Sequence, residues 1–375
     1  MMKTIELLQA ADAGFWKPSE GFTQSLIKDF LACRYRFLLK CNGISSRSEK
    51  RSLRFGSLMH TCLEARNKII VRKGGKVTIA VLDKATKRVL DSIVDGLVDA
   101  SSSPQEADRI LEEGAWATAL LRGYLAEWHE TDTSREWVSV ERNFDVWWLA
   151  SEEPDAYRLR GKRDGLFRGG GRRPRLWLHE TKTSSRIVEE QLTERLAFDF
   201  QSLFYLLACE IEFAPAKIGG VQFDYIRTPS LRQKKKESRP EFVDRVVSDI
   251  ELNPDHYFKR WEATFPKEMK VRFLIDLKCK LEEMILWYQG TLPTYRSEGS
   301  CFGAYQCAFT GHCASDDFVG YEQGRGVFPE LDENYPIVEE VIEDACGTRQ
   351  AKKKGSKKSR AKKARSGRSD AGASR

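Results

Sequence analysis

The chain has 375 residues, 41% of them hydrophobic and 20 of them Phe, which is enough apolar side chain for a large core held without disulfide or metal staples. Its net charge of +7 is carried by one end: residues 347–375 hold 12 Lys/Arg against the single acid Asp370, a local +11, so residues 1–346 stand at −4. No stretch reaches the ~20 apolar residues of a membrane span, and MMKTIELLQAADAGFW, with no cationic start followed by an apolar run, does not read as a signal peptide, so a cytoplasmic location is expected.

In chain order, TQSLIKDFLACRYRFLLK at 23–40 repeats apolar residues at helical spacing behind the capping types Thr23 and Ser25, and predicts a helix. A second is expected from Gly56 through FGSLMHTCLEARNKII. Two more follow over 83–99 and 105–128, where Ser103 can cap and Pro104 suits the first helical position. At Trp137 the period changes to the alternation of a strand, WVSVERNFDVWW. Strand-like YRLRGKRDGLF and RLWLHETKT then flank GGGRRP at 169–174, which reads as a hairpin turn. Helical periodicity returns over 188–212, VQFDYIRT at 221–228 reads as another strand, and an amphipathic helix near 267–289 leads to a cysteine segment at 301–313. From Gly347 the Lys/Arg/Ser/Gly/Ala bias predicts disorder. The chain therefore divides into a helical region (1–135), a core with its helical extension and cysteines (136–320), a C-terminal extension (321–346) and a basic tail (347–375).

Alternate side chains of a strand share a face, so Leu176, Leu178, Glu180 and Lys182 point one way and Trp177, His179, Thr181 and Thr183 the other. A symmetric hairpin pairs residues whose numbers sum to about 343, which puts Asp164 opposite Glu180 to within one residue. Two carboxylates facing each other repel unless they share a proton or a cation. A hard divalent ion, Mg²⁺ or Mn²⁺, prefers oxygen ligands and keeps water, and Lys182 on the same face can stabilise charge on a phosphoryl oxygen. The constellation suits phosphodiester hydrolysis. The bland alternative is an exposed hairpin whose Glu180–Lys182 contact contributes only ~0–1 kcal/mol. His60 lies four residues before Glu64, so both project from one helix face, and Gly56 lets that helix approach a neighbouring chain segment closely. Gln201 and Tyr205 also share a face, either as core polar groups with local partners or as contacts to phosphate or to the lysine.

Taken in order, Gly56 to His60, Gly161-x-x-Asp164, Glu180-Thr181-Lys182 and Gln201-x-x-x-Tyr205 resemble the motif series of RecB-like nucleases in the PD-(D/E)XK superfamily, over roughly residues 23–313. The resemblance implies an α/β fold with a restriction-endonuclease-like core, a central mixed β-sheet flanked by helices, to which the helical N-terminal region is added. It implies DNA cleavage with Mg²⁺ or Mn²⁺ in recombination or repair, in a bacterial or phage setting, with a helicase or recombinase as a partner. Carried over by position, His60, Asp164, Glu180 and the Thr181 carbonyl are metal ligands, Lys182 is catalytic, and Gln201 and Tyr205 support it.

Nine cysteines in a reducing compartment are thiols or metal ligands rather than disulfides. Cys33 before the core and Cys301, Cys307 and Cys313 after it resemble the iron–sulfur variety of these nucleases, CRISPR-associated exonucleases and AddB-like subunits, which implies a [4Fe–4S] cluster joining the two ends. The spacing here is C-x5-C-x5-C rather than C-x2-C-x5-C, and no proline follows Cys33. A structural Zn²⁺ site using the same thiolates with His312, and buried free thiols, are the alternatives. Arg232, Lys234, Lys235 and Lys236 sit in the basic run RTPSLRQKKKESR, a solvated loop or a phosphate-gripping one. The tail reads the same two ways. Trp147, Trp148 and Tyr225 are aromatic enough to stack on bases, although core packing is the commoner role. A non-catalytic DNA-binding or partner-binding subunit with the same fold is the competing function.

Overall fold

The computed structural model describes residues 16–46, 51–149, 156–169, 174–188, 194–196, 198–302, 306–324, 327–328, 331 and 335–347. The hairpin turn at 169–174 and the basic tail fall largely outside them. Helices α1 (Gln24–Ala32) and α2 (Arg34–Cys41) lead into a short strand β1 (Ile44–Ser46), and helices α3 (Arg51–Arg72), α4 (Ile79–Asp99) and α5 (Pro104–Ser134) follow. The chain then enters a sheet through β2 (Glu136–Trp148), β3 (Tyr157–Gly169) and β4 (Arg175–Ser184), crosses over through α6 (Phe200–Glu212) and returns as β5 (Ile218–Arg227). Next come α7 (Arg239–Leu252), a single turn α8 (Pro254–Tyr257), β6 (Phe258–Ala263) and the long α9 (Lys267–Tyr288). A short helix α10 (Thr310–Ser315), β7 (Tyr321–Gln323) and α11 (Pro336–Cys346) complete the described chain.

The five long strands lie in sequence order β2-β3-β4-β5-β6, with β4 and β5 parallel and every other neighbour antiparallel. The expected mixed sheet flanked by helices is thus the architecture, and α6 is the crossover that a parallel pair requires. The strands supply both faces of a two-sided core. On β5, Val221, Phe223 and Tyr225 join the layer formed with α1, α2, α6 and α9, whereas Ile226 joins the layer of α3, α4, α5, α7 and α11. Polar residues of the second face are buried as well. Asp224 takes hydrogen bonds from Tyr124 and Arg260, Arg260 grips both oxygens of Asp132 at 2.7 and 3.0 Å, and Arg66 reaches Asp132 at 3.0 Å. This network fastens α3 and α5 to the strands beneath.

Several boundaries differ from the periodicity. Residues 23–40 form two helices, because Cys33 adopts an extended backbone (φ −164°, ψ 114°) and its sulfur accepts the Arg36 N–H at 3.5 Å as the cap of α2. The C-terminal segment docks at that break, where Ser300 Oγ donates to the Ala32 carbonyl and Tyr35 N–H donates to the Tyr295 carbonyl at 3.1 Å. A one-residue interruption is invisible to a 3.6-residue period. Helix α3 begins at Arg51, before Gly56, α4 begins at Ile79, and α5 runs on to Ser134. Ser103 caps α5 by accepting Glu106 N–H at 3.2 Å, with Pro104 at the first position as expected. Within the helix expected over 188–212, residues 194–196 are helical and a separate helix starts at Phe200, where Asp199 accepts Ser202 N–H at 2.9 Å; residues 189–193 and 197 are outside the described set. The sequence reading passed over α7, β6 and α11. The Ser238–Glu241 capping box before α7 was a legible signal.

Candidate active site

The site is built where the C-terminal half of β4 meets β3 and helix α3. The β3–β4 pairing sums to 344, from Gly165 with His179 to Gly169 with Arg175, and it ends one step short of Asp164 and Glu180. The two expected carboxylates therefore stand just past the last pair of the ladder, close enough for the Asp164 charge to act on Glu180. Thr181 N–H donates to Asp164 Oδ2 at 2.8 Å, which ties the two strands at this point. Lys182 Nζ donates to Glu180 Oε1 at 2.6 Å and to Gln201 Oε1 at 2.9 Å, while Gln201 Nε2 donates to Glu180 Oε1 at 2.7 Å. Crossover helix α6 thereby presents an amide that holds acid and base in one closed triangle. Tyr205, one turn further, lies in the apolar layer with its ring 5.4 Å from that of Phe144. Gly161 makes room for it. A Cβ there would fall 2.5 Å from Phe144 Cζ and 3.1 Å from Tyr205 Cε1, so the glycine three residues before Asp164 serves ring packing.

Helix α3 closes the other side. Its Gly56 passes so near β4 that a Cβ would lie 3.2 Å from Thr183 Oγ1, and His60 Nδ1 comes within 3.7 Å of Asp164 Oδ2. Glu64, on the same helix face, pairs through Oε2 with Lys162 Nζ at 3.0 Å. Lys162 also reaches Glu141 Oε2 at 3.2 Å. Glu141 stands between the Val140–Gly165 and Arg142–Arg163 pairs, opposite Asp164, with a left-handed φ of 46° that a non-glycine residue adopts at a cost. Strand β3 loses its alternation here, since Leu159 and Leu166 enter the same core layer. Lys162, Glu141 and the strain at Glu141 carry no sequence signal, although Lys162 lies within the Gly161-to-Asp164 motif.

Burial and crowding of acids decide the protonation states. Burial, reinforced by Asp164, pushes Glu180 up to about 7, and burial raises Asp164 as well. Burial with the nearby Asp164 charge raises Glu141 well above the ordinary range. His60 is pushed down to about 4, chiefly by burial and then by the Lys182 and Lys162 charges, so it presents a neutral imidazole at pH 7. Burial pulls Lys182 down, but the Glu180 carboxylate beside it more than offsets this and the ammonium persists. Lys28 of α1, its ammonium pulled down by the protein atoms that crowd it and by Lys182, is a further cation near Asp199 and Glu180 that sequence reasoning passed over.

A divalent cation fits this donor set. Glu180 Oε2 and Asp164 Oδ1 have no hydrogen-bond partner among the described residues, and a cation would offset the burial and the neighbouring acid charges that raise both carboxyls. Among the described residues no three His, Cys, Asp or Glu side chains are drawn together tightly enough to hold a metal as they stand. One stability result follows. Asp164→Asn keeps an acceptor for Thr181 N–H and removes a disfavoured charge, so in EDTA the variant is expected to be more stable than the parent by about 1 kcal/mol. With Mn²⁺ at ~100 times its Kd the order reverses, because the parent gains about 2.7 kcal/mol that the variant does not. Denaturant titrations with and without Mn²⁺ read both, and an unchanged order would contradict the metal-ligand role. Alanine is the poorer probe, since it also orphans the Thr181 N–H.

The four cysteines singled out by spacing come together. Cys33, Cys301, Cys307 and Cys313 line one small hollow with Tyr35 and Arg296. The other thiols raise Cys313 further, after burial. His312 is turned away from any ligand role: its Nε2 is 2.9 Å from Tyr35 Oη, its Nδ1 is 2.7 Å from the Asp317 carbonyl, and its ring stacks on Phe318. In the basic loop, Arg232 is committed to Glu112 at 2.7 Å and to the Trp116 ring, whereas Lys234, Lys235 and Lys236 are exposed. Trp148 and Tyr225 are buried in the core and Trp147 is half exposed. No described helix is long and apolar enough to cross a membrane.

The sequence matches the family model of the PD-(D/E)XK nuclease superfamily over residues 21–314, which spans every element of the site. No curated protein matches the chain.

Proposed function

The chain belongs to the PD-(D/E)XK nuclease superfamily, and from that premise we propose that it is a RecB-like DNA nuclease, an exonuclease or end-processing enzyme of recombination or repair, working with Mg²⁺ or Mn²⁺. The observation that carries this reading is the closed Glu180–Lys182–Gln201 triangle set against Asp164. Asp164 and Glu180, with the His60 imidazole and the Thr181 carbonyl, would hold the cation. When bound, such an ion supplies Lewis acidity and a water activated at neutral pH. Gln201 keeps Lys182 aimed, and the persistently charged ammonium is available to stabilise negative charge developing on a phosphoryl oxygen. His60 contributes without proton exchange near pH 7, because its imidazole is neutral there. The test is cleavage of linear single- and double-stranded DNA by the full chain with Mn²⁺, Mg²⁺ or EDTA. Metal-dependent shortening from ends supports the proposal. DNA retention without cleavage in any divalent metal would instead make the chain a non-catalytic binding subunit.

The hollow shared by Cys33, Cys301, Cys307 and Cys313 favours a sulfur-ligated group, with His312 left out because both its ring nitrogens are engaged, and of the two candidates for four thiolates we propose the [4Fe–4S] cluster, which the family resemblance implies, over zinc. Anaerobically purified protein is then brown, with absorption near 400 nm and about four iron per chain. A colourless protein containing one zinc would overturn this.

A further inference from the structure

Beyond Asp164 and Glu180 the site holds two more acids, and they are arranged around an ammonium. Lys162 Nζ lies 3.0 Å from Glu64 Oε2 and 3.2 Å from Glu141 Oε2. All three side chains are largely withdrawn from solvent, at 21% exposure for Lys162, 13% for Glu64 and 7% for Glu141. The arrangement is locked from outside, since the other Glu64 oxygen is taken by Lys68 at 2.7 Å, and Lys68 is itself balanced by Glu339 of α11 at 3.1 Å. Glu141 is held in a left-handed backbone conformation directly opposite Asp164. A strained acid kept beside a lysine and facing the site carboxylate is costly to maintain, which argues for a role in the site.

Charge balance indicates what the role is. Fully ionised, as a bound cation would leave them, Asp164, Glu180, Glu64 and Glu141 bring four negative charges, and Lys162 and Lys182 bring two positive ones. The surplus of two is neutralised by one divalent cation. A second divalent ion would find its two remaining carboxylates already bridged by an ammonium. We propose that Lys162 is a built-in counter-cation that occupies the place of a second metal ion and fixes the complement of the site at one divalent cation per chain. This rests on the metal-dependent reading of Asp164 and Glu180 but goes beyond it. Lys162 is here a positioning residue: it touches Glu64 and Glu141, and through Glu141 it sets the field at Asp164.

The test is Mn²⁺ binding to the full chain by isothermal titration calorimetry, checked by Mn²⁺ electron paramagnetic resonance, so that it does not depend on turnover. The parent is expected to bind one Mn²⁺, Lys162→Arg one, and Lys162→Met two, with the second ion lost again when Glu141→Gln is added. Lys162→Gln, which keeps a donor and much of the packing, is a second neutral variant should the methionine fold poorly. Two ions in the parent, or one in both neutral variants, overturn the proposal while leaving the nuclease reading intact. No Mn²⁺ bound by the parent would remove the metal reading itself, and this proposal with it.

Discussion

Glu180→Ala and Lys182→Ala each lower DNA cleavage by about three orders of magnitude, for different reasons that one pair of measurements separates. Glu180 is a candidate ligand and also the acceptor for both Lys182 and Gln201, so its removal loses metal affinity and releases the lysine together. Lys182 donates to Glu180 and Gln201 and has no ligand role, so Lys182→Ala retains Mn²⁺ binding and loses turnover. Calorimetry with Mn²⁺ beside single-turnover cleavage distinguishes the two. Neither change should unfold the protein, because the triangle stands at the edge of the apolar layer. Cleavage persisting in both variants would sink the assignment of the site.

The largest effect on stability is expected from Asp132→Asn, at about 3–5 kcal/mol. Asp132 is buried at the junction of α5 with the sheet, where Arg260 hydrogen-bonds to it, Arg66 forms an ion pair with it at 3.0 Å and Arg135 lies 3.5 Å away. Burial alone would raise its carboxyl, but the guanidinium groups of Arg66 and Arg260 more than offset that and hold it well below the usual carboxylate range. Its contribution is therefore fully present above the ordinary carboxylate value of 3.8 and is lost only as pH falls through the lower folded value. Asparagine keeps the shape and strands buried cations without a counter-charge. Urea denaturation at pH 7 is the check, and a variant within 1 kcal/mol of the parent would show that the arginines find other partners. Because the network lies behind β4, on the face opposite Glu180, folded variant should retain cleavage at low temperature.

Much of the site was legible because strand and helix periods translate directly into shared faces. Alternation alone placed Glu180 and Lys182 together, the hairpin symmetry placed Asp164 within one residue of its register, and four-residue spacing paired His60 with Glu64 and Gln201 with Tyr205. The cysteines also converge, although nothing local to Cys33 announces residues some 270 positions away. Tyr205 shares a helix face with Gln201, and its ring packs on Phe144 over Gly161.

By itself the sequence determined the strand-rich centre, its helical surroundings and the residue types that converge on Glu180, since these follow from hydrophobic period and local capping. Only the tertiary structure decided that Cys33 splits a helix, that Glu141 adopts a left-handed backbone opposite Asp164, and that Lys162 stands between Glu64 and Glu141. The reason is physical. Period and capping act within a turn or a strand, whereas the protonation of Glu180 and the pairing of Lys162 depend on burial and on charges that distant segments bring within a few ångströms.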